Sequence, residues 1–489
     1  MSKIAAIIGG GVIGGGWAAR FLLNGWDVQV FDPDPQAERK ISEVMANARR
    51  SLPGLTDVAL PPEGTLTYHG TIAEAVTGAD WIQESVPERI EIKHATFAEV
   101  QAACALDAVI GSSTSGFKPS ELQQGATRPE QIMVAHPFNP VYLLPLIELV
   151  TTKVEPTLIE KAKGLLTSLG MFPLHLKKEI DAHVADRFLE AVWREALWLV
   201  KDGIATTEEI DNAIRYGFGI RWAQMGLFET YRVAGGEAGM KHFMAQFGPC
   251  LKSPWTKLMD VPDFTDELVD LIAGQSDEQS GMHSIRDLER IRDNNLVSMM
   301  RGLKAEDWGA GALLNAQERE MRVGTVHGAV AADLPADALV ETAHRTIPLD
   351  WTDYNGHMTE SRYLQAFADA TDRFMAIIGC DAEYISSGGS YFTAETHIRH
   401  IDEVHAGALV SIRTRVVMGE GKKMHLWHEM YEGDRLLATG EHFLLHVSLE
   451  TRKPTAPAEH IEAALVRFAE GHAGLPTPEG LGRAIGAPR

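Results

Sequence analysis

The chain has 489 residues, 45% hydrophobic and 23% charged, a balance that suits a water-borne globular protein of about three domains. A formal charge of −22 disfavours nucleic acid and anionic membrane as partners. No apolar run is long enough to span a bilayer. Met1 is followed at once by a strand pattern, with no room for a signal peptide, and Cys104, Cys250 and Cys380 are too scattered for a disulfide framework or a metal cluster. A cytoplasmic protein without a metal is the expectation.

Residues 4–8 form a short apolar run. Gly9, Gly11 and Gly14 follow, with Val12 and Ile13 between them, matching G-x-G-x-x-G. Trp17, Ala18, Phe21, Leu22 and Leu23 then repeat with helical spacing, and Val28 to Phe31 forms a second run ending at Asp32. Strand, glycine turn, helix, strand and acid together predict a dinucleotide site. The glycines let backbone N–H groups approach a pyrophosphate, and the helix N-terminus adds its positive dipole end. Asp32 suits a ribose 2′-hydroxyl and repels a 2′-phosphate, so NAD is expected rather than NADP. Apolar runs at 81–86, 108–110 and 132–134 continue the α/β alternation of a doubly wound parallel sheet, a Rossmann domain over 1–183.

His136 follows the last of those runs, in His136-Pro137-Phe138-Asn139-Pro140, and Glu148 lies in an apolar stretch shortly after. A carboxylate among apolar neighbours is costly unless paired. The two form a candidate dyad in which Glu148 orients the imidazole and His136 takes a hydroxyl proton as hydride leaves for NAD. From Val184 the pattern turns helical, through Phe188, Val192, Trp193, Ala196 and Leu199, and an all-α domain is expected over 184–323 for substrate binding and dimerisation. A linker rich in alanine is read at 324–343. An α+β domain follows at 344–450: a strand at 346–349, a loop, a helix through Tyr363 and Phe374, and strands at 390–399, 408–418, 423–431 and 435–447. A tail at 451–489 carries one short amphipathic helix with Ile461, Leu465 and Phe468.

The pieces G9-G-G-V-I-G14, V86-P-E-x4-K93, S113-T-S115, H136-P-F-N-P140, E148 and A185-D-R187 resemble the 3-hydroxyacyl-CoA dehydrogenase family over residues 1 to about 320. The resemblance implies that His136 and Glu148 are the catalytic pair and that Ser115 hydrogen-bonds the substrate oxygen. Glu88 and Lys93 would contact the nicotinamide ribose region, and Asn139 the substrate. The chain departs from the family at Asp186, where asparagine is usual. A carboxylate there, with nearby aromatics, suits a quaternary ammonium better than an acyl-CoA. The stretches 218–231 and 234–239 resemble the branch that oxidises L-carnitine. Further on, Asp353-Tyr354-Asn355-Gly356-His357 with Tyr363-Leu364 resembles the D-x-N-G-H segment of hotdog-fold acyl-CoA thioesterases.

In that second family the acid at Asp353 is nucleophile or activates water, and helix-start amides polarise the thioester. Asn355, Gly356 and His357 would shape the loop or assist. Such a fusion implies betainyl-CoA as the second substrate, and hotdog units pair, so a homodimer is expected. The competing reading is a 3-hydroxybutyryl-CoA dehydrogenase joined to a general thioesterase or to a non-catalytic dimerisation module. Asp186 counts against its first half.

Overall fold

Apolar runs flanked by glycine turns and amphipathic helices have one economical burial: parallel strands between two helix layers. The computed structural model describes residues 3–234, 237, 239–247, 256, 263, 265–322, 328–353 and 355–483. The chain divides into two compact units, Met1–Ala48 with Pro62–Leu314, and Arg49–Pro61 with Asn315–Arg489.

The first unit holds an eight-stranded sheet made of β1 (Ile4–Ile8), β2 (Asp27–Phe31), β3 (Leu66–Tyr68), β4 (Trp81–Glu84), β5 (Val109–Ser112), β6 (Ile132–Pro137), β7 (Leu146–Val150) and β8 (Phe172–Leu176). Their order is β3-β2-β1-β4-β5-β6-β7-β8. Ile8, Ile82, Ile110 and Val134 fill one face without exposure, and the rings of Trp17, Phe21 and Trp81 pack together on the other. The sheet is parallel through β6, but β7 runs antiparallel to β6 and carries β8 with it. The doubly wound parallel sheet expected from the runs at 81–86, 108–110 and 132–134 is present from β1 to β6, and β7 and β8 extend it in the opposite direction. Residues 138–145 return the chain at once, without the crossover helix a parallel step needs.

A helical region follows in the same unit, beginning with Ala185–Lys201. That helix buries Leu197 and Val200 but leaves Phe188 55%, Leu189 59% and Trp193 60% exposed. Gly235, Gly236 and Ala238 of the 234–239 stretch, Tyr354, and Cys250 lie outside the described residues.

In the second unit a five-stranded antiparallel sheet has the order β10-β13-β12-β11-β9. Its strands are β9 (Val340–Thr346), β10 (Gly389–His400), β11 (Leu409–Glu420), β12 (Lys423–Glu432) and β13 (Arg435–Ser448). The helix Glu360–Ile377 buries Tyr363, Phe367, Ala370 and Phe374 against it, the hotdog arrangement. Three boundaries move. The linker read at 324–343 ends earlier, because β9 begins at Val340 and pairs with β11; residues 347–349 are past the strand, with a 3-10 turn at Leu349–Trp351. The tail read at 451–489 is part of the domain: Ile461, Leu465 and Phe468 of helix Glu459–His472 are fully buried in its core. Residues 49–61, read as Rossmann, belong to the second unit, where Asp57 pairs with Arg345 and the Ala59 amide donates to the His344 carbonyl.

Candidate active sites

The glycine turn is built by close approach. A side chain at Gly14 would fall 1.8 Å from the Gly9 carbonyl, and one at Gly9 would meet Ser85 at 2.5 Å. A side chain at Gly11 would meet nothing, so that residue faces the open space a pyrophosphate would take. Val12 is exposed beside it, and Ile13 opens the buried part of the helix Val12–Leu23. Asp32 accepts from the Gly10 amide at 2.5 Å and the Asp34 amide at 2.7 Å, which ties the end of β2 to the turn. The donor geometry and the acid therefore fit an NAD-type dinucleotide.

Glu88 and Lys93 are joined, but only one of them is accessible. Lys93 is 1% exposed, 2.9 Å from Glu84 Oε1 and 3.1 Å from Glu88 Oε2. The ammonium of Lys93 is thus enclosed by two carboxylates, of which Glu88 is the exposed one. Burial would raise the Glu88 carboxyl, but hydrogen bonds from Thr114 and Lys93 bring it below its ordinary value. Glu84 is fully buried, accepts from Ser112 and the Val86 amide, and went unread in the sequence. Its signal was an acid closing the strand segment Trp81-Ile82-Gln83-Glu84.

The antiparallel return of β7 sets His136 directly opposite Glu148 in the register. His136 Nδ1 lies 3.0 Å from Glu148 Oε2. Glu148 Oε1 accepts the amides of Val184 and Ala185, both at 2.9 Å, at the start of helix Ala185–Lys201. Burial alone would raise this carboxyl; the His136 hydrogen bond and the two helix amides outweigh it and hold it below its usual range. Asp186, in the first turn of the same helix, places Oδ2 3.6 Å from His136 Nε2. Burial lifts the Asp186 carboxyl above its ordinary value; His136 opposes this and Glu148 adds to it.

His183, absent from the sequence reading, is fully buried, 5.5 Å from the His136 ring and 3.2 Å from the Thr114 carbonyl. Ser115 is exposed on the loop after β5. Asn139 is exposed too, and lines a cavity of about 280 Å³ with Val12, Tyr142 and Arg292.

In the second unit Asp353 closes its own loop. Oδ1 accepts the amides of Asn355 at 2.8 Å and His357 at 3.2 Å, and the Asp353 amide donates to the His357 carbonyl at 2.9 Å. Asp353 is thus a turn-forming carboxylate; the N-cap of the helix is Thr359. Gly356 accepts from His405 Nδ1 at 3.0 Å, and His357 Nε2 lies 3.4 Å from Glu403. Glu360, Ser361 and Leu364 of the helix start line a cavity of about 1060 Å³, bounded also by residues 396–400 of β10 and by Ile401 after it.

Comparison with known proteins matches residues 4–180 to the family described as 3-hydroxyacyl-CoA dehydrogenase, NAD binding domain. Residues 183–262 match its C-terminal domain, and 347–465 the thioesterase-like superfamily. An L-carnitine dehydrogenase/betainyl-CoA thioesterase of Ruegeria pomeroyi is 73% identical over 99% of both chains. One of Agrobacterium fabrum is 56% identical over 100% of this chain and 99% of its own. An L-carnitine dehydrogenase of Pseudomonas putida is 51% identical over 62% of this chain and 94% of its own. A solved NAD-dependent 5-formyl-3-hydroxy-2-methylpyridine 4-carboxylic acid 5-dehydrogenase is 28% identical, covers 62% of this chain and 99% of its own, and superposes with a TM-score of 0.54.

Proposed function

The chain belongs to the 3-hydroxyacyl-CoA dehydrogenase family, extended by a thioesterase-like domain, and from that premise we propose two activities. The first unit oxidises L-carnitine to 3-dehydrocarnitine with NAD. The second hydrolyses betainyl-CoA to glycine betaine and CoA. Relatives named for the dehydrogenase alone cover 62–63% of this chain, and those named for both activities cover at least 99%. The second activity therefore goes with the added domain.

The observation that carries the first activity is the His136–Glu148 pairing across β6 and β7, locked to a helix start that presents Asp186. His136 Nε2 takes the hydroxyl proton, and Glu148 holds the ring and stabilises the imidazolium. Asp186 supplies the negative charge that a trimethylammonium group needs. Ser115 hydrogen-bonds the substrate oxygen, and Asn139 forms part of the substrate wall. Gly9, Gly11, Val12, Ile13 and Gly14 would cradle the pyrophosphate, Asp32 the ribose hydroxyls, and Glu88 with Lys93 the nicotinamide ribose side. NAD, when bound, supplies the hydride acceptor. In the second unit Asp353 attacks the thioester or activates water; Asn355, Gly356 and His357 hold its loop, and the amides of the following helix start polarise the carbonyl.

The exposed apolar face of Phe188, Leu189 and Trp193 supports a homodimer. No described helix is long and apolar enough to cross a membrane. The scattered cysteines support a cytoplasmic setting.

The test offers L-carnitine, D-carnitine and 3-hydroxybutyryl-CoA with NAD, and follows thiol release from betainyl-CoA on the same preparation. NADH should form with L-carnitine, and Asp353→Ala should lose thiol release while keeping NADH formation. Faster oxidation of 3-hydroxybutyryl-CoA than of L-carnitine would overturn the first assignment. Wild-type hydrolysis by Asp353→Ala would overturn the second.

A further inference from the structure

We propose that His357, Glu403 and His405 form a binding site for a divalent transition-metal ion of the zinc class, beside the loop that carries Asp353. Their ligand atoms lie within 4.8 Å of one another, a set of two imidazoles and one carboxylate. His357 Nε2 and Glu403 Oε2 are 3.4 Å apart. Two ligands held about 2.0–2.2 Å from a tetrahedral ion stand about 3.4 Å from each other, so this edge already has the required length.

His405 is also prepared. Its Nδ1 donates to the Gly356 carbonyl at 3.0 Å, which leaves the lone pair on Nε2. A ring nitrogen hydrogen-bonded to a backbone carbonyl is the usual support of a metal-bound imidazole. A β-bridge between His357 and His405 fixes the two backbone segments against each other. All three side chains are partly or fully exposed, so an ion has access and water can complete the coordination. Mixed imidazole and carboxylate donors suit Zn²⁺, Co²⁺ or Ni²⁺ better than the all-oxygen preferences of Mg²⁺ or Ca²⁺.

No sequence spacing announces the site, because His357 comes from the turn before the helix Glu360–Ile377 and the other two from the loop between β10 and β11. The His357 amide donates to Asp353 Oδ1, so an ion held by the His357 ring would stiffen the turn around that carboxylate. The consequence for hydrolysis rests on the thioesterase reading above; the binding itself does not.

The experiment uses the full-length, untagged protein after dialysis against a chelator. Zn²⁺ is titrated by calorimetry and Co²⁺ by its visible absorption, in wild type, Glu403→Gln and His405→Ala. Wild type should bind one more ion per chain than the variants, or bind it on the order of 10–100-fold more tightly. The Co²⁺ spectrum should change with His405→Ala. Equal stoichiometry, affinity and spectra in all three proteins would overturn the site. In parallel, betainyl-CoA hydrolysis is followed as loss of thioester absorbance with and without Zn²⁺, with NADH formation from L-carnitine as the internal control. A Zn²⁺-dependent fall in hydrolysis, present in wild type and diminished in His405→Ala, supports the coupling. Binding without any change in hydrolysis keeps the metal site and refutes its link to the hydrolytic loop.

Discussion

Replacing Glu148 by glutamine separates the two duties that the structure gives this carboxylate. It is fully buried and accepts three N–H groups: the His136 ring at 3.0 Å and the Val184 and Ala185 amides at 2.9 Å each. A glutamine side chain has one acceptor oxygen and one donor nitrogen. It can serve the helix amides or the imidazole, and its NH₂ then confronts a donor on the other side. Hydrogen bonds to charged groups are worth roughly 1.5–3 kcal/mol. With one such bond lost and a buried donor left unpaired, about 2–3 kcal/mol of stability should go. In a unit of this size that corresponds to a fall in Tm of roughly 3–6 °C, since the shift per kcal/mol shrinks with chain length.

The catalytic loss should be larger. Without the anion on Nδ1 the imidazolium formed during proton abstraction is unsupported, and the rate should fall by about 10²–10⁴. The pH dependence has a definite sign. The folded Glu148 carboxyl is depressed below its free value, so its contribution is present above about pH 4.5 and is lost as the pH falls through the lower folded value. Glu148→Gln should flatten that part of the stability profile. The assay is differential scanning fluorimetry across pH together with NADH formation from L-carnitine. A variant with kcat/KM near wild type would refute the assignment of His136 and Glu148 as the working pair.

Three further outcomes follow from the same geometry. With Asp32 at the end of β2, kcat/KM for NADP should be lower than for NAD by about 100-fold or more, the cost of facing a phosphate with a carboxylate; comparable efficiencies would refute the role of Asp32. Asp186→Asn should raise KM for L-carnitine more than for an uncharged 3-hydroxy acid, and equal effects on both would leave Asp186 as an orienting residue. In the second unit, burial holds His428 far below its usual pKa and pulls His442 down to about 4. Both are neutral when folded and take up protons on unfolding, so stability should decline as the pH drops below about 6.5 and go on declining towards about 4. Thermal unfolding of the wild type and of His442→Gln across that range checks this, and identical slopes would refute the contribution of His442.

What the sequence determined by itself is the local chemistry. The glycine spacing at 9–14 and the acid at Asp32 are short-range signals, because the turn and the strands beside it are built from contiguous residues. The same holds for the helix at Ala185–Lys201 and the four late strands, whose periodicities of 3.6 and 2 lie within each segment. Alternation over 410–416 is enough to place β11, and the H-x-F-N-P and D-x-N-G-H segments carry their own identity.

Tertiary structure alone decided direction and assembly. Leu146–Val150 reads as the same apolar run whether it runs parallel or antiparallel, and only its pairing with β6 sets Glu148 opposite His136. Val340–Ala343 looks like connecting chain until β11 supplies its hydrogen bonds, and Ile461, Leu465 and Phe468 look like a tail until the sheet buries them. The Glu84–Lys93–Glu88 cluster and the His357–Glu403–His405 set join side chains from separate segments, as does the close placing of His183 and His136. The physical reason is common to all of them. Burial and long-range pairing depend on which surfaces meet, and a linear pattern states what each surface is, not which other surface it will face.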